Sequence, residues 1–290
     1  MPKIGVVGTP GGWSSEKLAD TIEQKTGFRL LIDPEKICLD LDSGSAWYEG
    51  RDISKLDALM LKKAGTRYSP SLLDRLEILR FLNEQGLKMF SNPYSIMRVL
   101  DRLSCTVTLK QGGIPMPETT ITEDIECAVE AVEKYGEAVF KPLYSSKARG
   151  MKVIRRGADA LKEIHDFKME NDFMYIQKKL DLGGQDLGVA FLGGEYMTTY
   201  ARCNDNGDSW NTTTRSGGKY KACFPSDETI ALAHKAQKLF NLDFTCVDVA
   251  ETKDGPVVFE VSAFGGFRGI QTASGIDAAG LYVDYVLAKV

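Results

Sequence analysis

Short apolar runs alternate with helical patterns over residues 1–91, and this alternation constrains the fold most. The predicted strands are Lys3–Val7, Leu30–Ile32, Ala58–Leu61 and Lys88–Phe90. Between the last two, leucines at helical spacing from Leu72 to Leu82 predict a helix that Gly86 ends. Strands that alternate with helices in this way form a mainly parallel sheet covered on both faces. The first third of the chain is therefore predicted to be an α/β domain.

Length and charge narrow the class of protein. The chain has 290 residues, and 36 basic against 40 acidic residues give a net charge of −4. At about 150 residues per domain, this length suggests roughly two domains. The charge lacks the basic surplus that nucleic-acid binding needs, and no apolar run approaches the ~20 residues of a membrane span. We therefore expect a cytoplasmic protein with no nucleic-acid partner and no membrane partner.

The later part of the chain favours antiparallel structure. A helix is predicted from Asn92-Pro93 through Val107 to Gly112-Gly113. Further on, Leu187–Leu192 and Tyr196–Arg202 flank the Gly193-Gly194 turn, which predicts a hairpin. A long polar loop, 204–218, follows, and loops of this length inside compact domains tend to be functional. The C-terminal half is therefore predicted to be α+β.

The last predicted hairpin brings two carboxylates together. Thr252 and Pro256 flank Lys253-Asp254-Gly255, which fits a three-residue loop. That register places Asp248 directly opposite Glu260, about 4.5–5.5 Å apart at the β-carbons, where like charges destabilise the pair. A divalent cation removes the repulsion, since Mg²⁺ selects carboxylate oxygens. A register shifted by one residue would instead put the two side chains on opposite faces and leave no site.

Lys141 is the second candidate for a functional side chain. It ends the apolar run Ala138-Val139-Phe140, where an unpaired ammonium is costly and a phosphate would compensate. The alternative is an ordinary strand-end lysine that reaches solvent. The polar loop Ser145–Gly150 follows and offers backbone donors, hydroxyls and two cations. The chain lacks both the G-x-x-x-x-G-K-[ST] and the G-x-G-x-x-G spacing, which disfavours a P-loop and a dinucleotide fold.

Taken in order, the motifs resemble the ATP-grasp superfamily, and most closely its RimK-type carboxylate–amine ligases, which include glutamate ligases. The motifs that carry this resemblance are Asn92, Asp101-Arg102, Gly113-Ile114-Pro115-Met116-Pro117, Phe140-Lys141-Pro142, Gln177, Asp186, Arg202, Asn211, Gly217-Gly218, Val247-Asp248 and Glu260-Val261-Ser262. The resemblance implies an N-terminal α/β domain at 1–91, a central ATP-grasp subdomain at 92–176 and a C-terminal subdomain with the metal site at 177–290.

The resemblance also implies roles for individual residues. ATP would bind between the central and C-terminal sheets, with Lys141 at the α- and β-phosphates and Asp186 near the ribose. The adenine edge would meet the segment from Gln177 to Leu180. One or two Mg²⁺ ions, for which Mn²⁺ can substitute, would bind Asp248, Glu260 and Ser262. The remaining implied residues are Arg102, Lys147, Arg149, Lys178, Lys179 and Asn211 for the nucleotide and Arg202, Arg215 and Arg268 for catalysis.

This implied activity is amide formation through an acyl phosphate, on a small-molecule or peptide carboxylate and an amine. The chain departs from the family at Ser262, where asparagine is usual, and at Arg102, where lysine is usual. Two other functions stay open on these grounds: a small-molecule kinase of the same fold and an ATP-sensing module without catalysis. The sequence is compatible with a homo-oligomer and does not reveal the acid or the amine.

Overall fold

A computed structural model describes residues 1–146, 148–204, 211–212 and 217–290. The first third of the chain forms an α/β unit. Its elements are β1 (Ile4–Val7), α1 (Trp13–Thr26), β2 (Leu31–Ile32), a 3₁₀ helix (Pro34–Lys36), β3 (Cys38–Asp40), β4 (Ser45–Tyr48), β5 (Arg51–Asp52), a second 3₁₀ helix (Ile53–Lys55), β6 (Ala58–Leu61), α2 (Ser71–Glu84) and β7 (Lys88–Phe90). The strands β2-β1-β6-β7 form one sheet in that order, and every pairing in it is parallel. The prediction of a parallel sheet is confirmed.

The structure adds a small antiparallel sheet, β3-β4-β5, which the sequence analysis did not predict. Its strands are only two to four residues long. Strands this short carry too few residues for an alternating pattern to stand out.

The central part of the chain forms a second, antiparallel sheet. Its elements are α3 (Pro93–Leu100), α4 (Arg102–Gln111), β8 (Thr119–Thr122), α5 (Ile125–Tyr135), β9 (Glu137–Lys141), β10 (Lys152–Arg155), α6 (Ala160–Glu170) and β11 (Met174–Lys178). The strand order is β10-β9-β11-β8. The single helix predicted from Asn92 to Gly112 is wrong, because the Asp101 carboxylate accepts a hydrogen bond from the Leu103 amide and begins a new helix there.

The C-terminal part forms a five-stranded antiparallel sheet. The described elements are β12 (Gln185–Leu192), β13 (Glu195–Cys203), β14 (Lys219–Ala222), α7 (Asp227–Lys238), β15 (Phe244–Thr252), β16 (Gly255–Ser262), α8 (Phe267–Ser274) and α9 (Ala278–Leu287). The sheet order is β14-β13-β12-β15-β16. Since β11 completes the central sheet, it crosses the boundary predicted between 176 and 177, and we propose a boundary after Lys178 instead.

The buried apolar residues show which units share a core. The central unit has a core of its own, which includes Phe140, Phe167 and Ile176. By contrast, the N-terminal and C-terminal sheets contribute to the same two clusters, in which Val6 of β1 joins Phe244 of β15 and Leu61 of β6 joins Phe264. No described helix has both the length and the apolar character needed to cross a membrane.

Candidate active site

A cavity of about 400 Å³ brings most of the predicted site residues together. It is lined by side chains from the central and C-terminal sheets, from α3 and α4, and from the segments that follow β6, β9, β11 and β16. The predicted residues that line it are Arg102, Lys141, Gln177, Lys178, Lys179, Leu180, Asp186, Arg202, Asn211, Asp248, Glu260 and Ser262. They come from positions up to 160 apart in the chain, so the fold assembles them. Their individual roles in binding and catalysis stay predictions.

Two predicted residues, Arg149 and Arg268, do not line the cavity, and two more lie outside the described residues. Arg149 is exposed, although Ser146 and Ala148 of the same loop line the cavity. Arg268 is also exposed, and its guanidinium lies 4.9 Å from the centre of the Trp13 ring. The structure therefore does not place Arg268 in the cavity. Lys147 and Arg215 lie outside the described residues.

Asp248 and Glu260 are directly opposite each other on β15 and β16. The turn is nevertheless shorter than predicted, because Thr252 pairs with Gly255 and leaves a two-residue loop. A β-bulge between this turn and the carboxylates, where the register shifts past Asp248, restores the predicted pairing. The prediction of a three-residue loop is wrong, and the pairing that it supported is correct.

One oxygen of the partly buried Asp248 carboxylate is not satisfied by a hydrogen bond. Its Oδ1 atom has no hydrogen-bond donor among the described residues, although the Arg202 Nη2 atom lies 3.0 Å away in poor hydrogen-bonding geometry. Burial raises the pKa of Asp248 to about 7 against the opposing effect of Arg202, and the nearby Glu260 adds to the rise. A buried carboxylate oxygen that lacks a donor favours a cation.

Lys141 lies in the same cavity, and among the described residues its ammonium forms no ion pair with a carboxylate. The ammonium donates instead to the Gln177 side-chain oxygen at 2.5 Å. Burial and the nearby Arg102 lower its pKa to about 7. The lysine is 8% exposed, so it does not extend into solvent. The alternative of an ordinary strand-end lysine is therefore wrong.

Two arginines hold the carboxylates in place. Arg202 donates to both oxygens of Asp186 from its Nε atom, at 3.1 Å each, and the Thr212 hydroxyl donates to the same carboxylate. Arg102, at the start of α4, contacts Glu260 at 3.1 Å and donates to the Pro142 carbonyl at 3.2 Å. Arg102 therefore connects the central unit to the C-terminal sheet across the cavity.

The lysines beside Gln177 have partners outside the cavity. Lys178 pairs with Glu118 at 2.8 Å, and Lys179 pairs with Glu137 at 2.9 Å. Their ammonium groups are thereby held at the protein surface. The segment from Gln177 to Leu180 still lines the cavity, so it presents backbone and stem atoms there.

Sequence reasoning missed several lining residues. They are Lys63 and Tyr68 after β6, Tyr200 on β13 and Tyr220 on β14. No local motif marks them, because their common feature is the tertiary contact. Ser145, in the polar loop that was predicted to offer hydroxyls, does line the cavity. Its hydroxyl is buried and has no hydrogen-bond partner in the described part of the chain.

The charges on the described lining residues suit a polyphosphate. Apart from Lys178 and Lys179, whose ammonium groups pair outside the cavity, the cations are Lys63, Arg102, Lys141 and Arg202, and the carboxylates are Asp186, Asp248 and Glu260. The surplus of positive charge attracts anions, while the opposed Asp248 and Glu260 provide a place for a cation between them.

A model of the RimK-like ATP-grasp domain matches residues 99–286, which is more than half of the chain. The chain belongs to the RimK-like ATP-grasp family. The resemblance, the fold class and the ligase class predicted from the sequence are confirmed, and enzymes of this family use ATP and Mg²⁺.

Relatives of this RimK-like chain match it over nearly its whole length. A tetrahydromethanopterin:alpha-L-glutamate ligase of Methanosarcina acetivorans is 24% identical over 321 residues, covering 99% of each protein. A ribosomal protein bS6–L-glutamate ligase of Escherichia fergusonii is 25% identical, covering 98% of this chain and 95% of the relative. The solved ATP-grasp ligase PsnB, in complex with a variant precursor, Mg and ADP, has a TM-score of 0.76 at 20% identity and covers 99% of this chain and 98% of its own.

The residues of this RimK-like site fit a magnesium ion. Asp248 offers a buried oxygen without a donor, and Glu260 is directly opposite it. Among the described residues there is no group of three or more His, Cys, Asp or Glu side chains that could hold a metal. Two carboxylates with substrate phosphates and water are the usual Mg²⁺ environment in enzymes that transfer phosphoryl groups.

Proposed function

We propose that this chain is an ATP- and Mg²⁺-dependent carboxylate–amine ligase that uses the residues of the cavity. The proposal rests chiefly on one observation: a buried ammonium without an anionic partner, on Lys141, shares a cavity with a buried carboxylate oxygen that lacks a donor, on Asp248. The phosphates of ATP supply the anion that Lys141 lacks, and a divalent cation supplies a ligand for the unsatisfied Asp248 oxygen. Family membership and the names of the relatives support the same reaction class.

The nucleotide would lie between the central and C-terminal sheets. Lys141 would bind phosphate oxygens, and the Ser145 hydroxyl is suited to donate to them. The segment from Gln177 to Leu180 would meet the adenine, with Asp186 near the ribose. In this structure Arg202 and Thr212 both donate to the Asp186 carboxylate, and Arg202 neutralises its charge. Its remaining lone pairs could still accept a hydrogen bond from a ribose hydroxyl.

The reaction would proceed in two displacements. A carboxylate oxygen of the acid attacks the γ-phosphorus, the bond to the β–γ bridging oxygen breaks, and ADP leaves with the electron pair. The amine nitrogen then attacks the acyl carbon, phosphate leaves, and the nitrogen loses a proton. Arg202 and Arg102 would stabilise the negative charge on the transferring group.

Magnesium would be held by Asp248 and Glu260, with Ser262 beside them on the same face. When bound, such an ion neutralises charge on the β- and γ-phosphates. Whether one or two ions bind depends on Ser262, and we propose one, because the serine hydroxyl has a shorter reach than the asparagine amide that is usual at this position.

L-Glutamate is the first amine to test, because the relatives from Methanosarcina acetivorans and Escherichia fergusonii are both named as glutamate ligases. The acid is then a small molecule or a peptide. The name of one relative includes a small molecule, tetrahydromethanopterin, and the name of the other includes a protein, ribosomal protein bS6.

Trapping with hydroxylamine tests the reaction class. The protein is incubated with ATP, Mg²⁺, hydroxylamine and a panel of carboxylates that includes peptides ending in glutamate. Because hydroxylamine captures an activated acyl group, we expect at least one acid to give a hydroxamate together with an equal amount of ADP. Replacing hydroxylamine by L-glutamate should then give an amide, identified by its mass.

Two outcomes would contradict the proposal. Formation of ADP with a phosphorylated product and no hydroxamate would indicate a kinase. Tight nucleotide binding with no turnover across the panel would indicate an ATP-sensing module. Protein with the substitution Asp248→Asn serves as the matched control for background hydrolysis.

A further inference from the structure

Lys62 carries a buried amine that the proposed chemistry does not use. It follows β6 directly and is 1% exposed. Its Nζ atom donates to the Phe264 carbonyl at 2.6 Å and to the Gly265 carbonyl at 2.7 Å. The same atom lies 3.6 Å from the centre of the Phe267 ring. Both carbonyls belong to the loop between β16 and α8, about 200 residues later in the chain.

The amine is an unusual group to bury at this position. Among the described residues no carboxylate forms an ion pair with Lys62, and burial lowers its pKa well below the usual range. An apolar side chain of the same length would avoid this desolvation cost. The amine instead donates to the buried carbonyls of Phe264 and Gly265 and contacts the face of the Phe267 ring.

Those carbonyls belong to a wall of the cavity. Ala263, Phe264, Gly265 and Gly266, which we call the 263–266 loop, all line it directly after Ser262. Because a trans peptide is planar, holding the carbonyls of residues 264 and 265 sets the orientation of two consecutive peptide units. Gly265 has φ of +48°, and a β-carbon there would lie 2.4 Å from the Phe244 ring. In this arrangement the loop packs against Phe244 so closely that position 265 requires glycine.

A second buried donor holds the start of the loop. The Thr245 hydroxyl, on β15, donates to the Ser262 carbonyl at 2.7 Å. Two side chains thus bind three carbonyls, two in the loop and one on Ser262 directly before it, and of these two side chains only Lys62 comes from the N-terminal unit. Lys63 and Tyr68, on the same segment, line the cavity themselves, and the Lys63 ammonium lies 5.3 Å from the centre of the Phe264 ring.

The 263–266 loop lies on the side of the cavity that the N-terminal and C-terminal units form together. The groups proposed for the nucleotide, Lys141 and the segment from Gln177 to Leu180, come from the central unit and the chain that leaves it. The loop wall is therefore the side left for the carboxylate that is to be activated.

We propose that Lys62 is a positioning residue for ligation, which acts by holding the 263–266 loop in the shape that receives the carboxylate substrate. The inference rests on the proposed function for the identity of that substrate. In this proposal the N-terminal unit affects how well the carboxylate substrate binds and reacts, although Lys62 itself does not touch that substrate.

The substitution Lys62→Met tests this, because methionine fills the space and removes the donors. In hydrogen exchange, amides of residues 263–266 should exchange at least tenfold faster than in the unchanged protein. With the acid that gives most hydroxamate in the panel above, kcat/KM for the acid should fall at least tenfold. The KM for ATP and the Kd for Mg·ADP, measured by calorimetry, should stay within twofold. Leu79→Ala, a fully buried core position on α2, controls for general destabilisation and should leave exchange of the loop and kcat/KM within threefold.

The outcomes separate the two proposals. Unchanged exchange of the loop in Lys62→Met, or faster exchange with unchanged kcat/KM for the acid, overturns the role of Lys62. The role of Lys62 is also overturned if Lys62→Met lowers the affinity for Mg·ADP as much as it lowers kcat/KM for the acid. The same holds if Leu79→Ala changes loop exchange and kcat/KM as much as Lys62→Met does. If no acid in the panel gives a hydroxamate, the proposed function fails, and the exchange and Mg·ADP measurements still decide whether Lys62 holds the loop independently of the nucleotide.

Discussion

Asp248→Asn and Glu260→Gln should each lower the rate of ADP formation by roughly a thousandfold or more, the scale of losing charge stabilisation in a phosphoryl-transfer site. Each substitution keeps the size of the side chain and removes the charge that faces its partner across β15 and β16. Without that charge, the cavity loses its place for a divalent cation. The measurement is a coupled assay for ADP, run over a range of Mg²⁺ concentrations.

Both variants should remain folded. Burial already raises the pKa of Asp248 to about 7, so the folded protein tolerates an uncharged side chain there at neutral pH. Arg202 keeps Asp186 as a partner when Asp248 becomes neutral. Thermal unfolding and circular dichroism check this point.

Asp243→Asn is the matched control for these two variants. Asp243 is also a largely buried carboxylate with a raised pKa, caused by burial, but it is bound by Tyr285 and does not line the cavity. Its substitution should leave ADP formation within about twofold, since groups away from a site and its partners act independently. Turnover within tenfold of the unchanged protein in both Asp248→Asn and Glu260→Gln would rule out the magnesium site.

Lys141→Met should weaken binding of ATP, measured without Mg²⁺, by roughly a hundredfold, since a hydrogen bond to a charged group is worth about 1.5–3 kcal/mol. The physical reason is the isolation of this ammonium, whose hydrogen-bonding partner is the neutral Gln177 side chain. A phosphate that binds it supplies the missing negative charge.

The pKa of Lys141 gives this prediction a specific pH dependence. Burial lowers the pKa to about 7 in the free protein, so the amine is mostly neutral at pH 8.5. A bound phosphate favours the charged form and raises the pKa, so binding at pH 8.5 should take up about one proton. By the same linkage, affinity should fall as the pH rises above 7, because the proton must then be supplied from solution.

Calorimetry in buffers with different ionisation enthalpies measures this proton uptake. Lys141→Met should abolish it and flatten the dependence of affinity on pH. Lys134→Met, which removes an exposed lysine paired with Glu118, should retain both. Equal proton uptake in Lys141→Met and the unchanged protein would exclude Lys141 as the phosphate contact.

The carboxylate pair shows how a correct prediction can rest on a wrong premise. The alternating pattern of β15 and β16 puts Val247 and Val261 on one face and Asp248 and Glu260 on the other, whatever the turn does. The real turn is one residue shorter than predicted, and the bulge compensates for it. Burial of the apolar face thus determined the register, and the turn adapted to it.

Local patterns in the sequence by themselves determined the parallel sheet of the first third and the hairpins of the C-terminal part, because periodicity and short-range spacing are readable along the chain. The family and its site residues followed instead from the resemblance of the ordered motifs. Only the tertiary structure decided three other features. These are the exposed position of Arg268, the ion pair of Arg102 with Glu260 across the cavity, and the contact between Lys62 and the 263–266 loop. The reason is physical: these contacts join residues up to about 200 positions apart, and the altered pKa values of Lys141 and Asp248 arise from burial that only the packed units create.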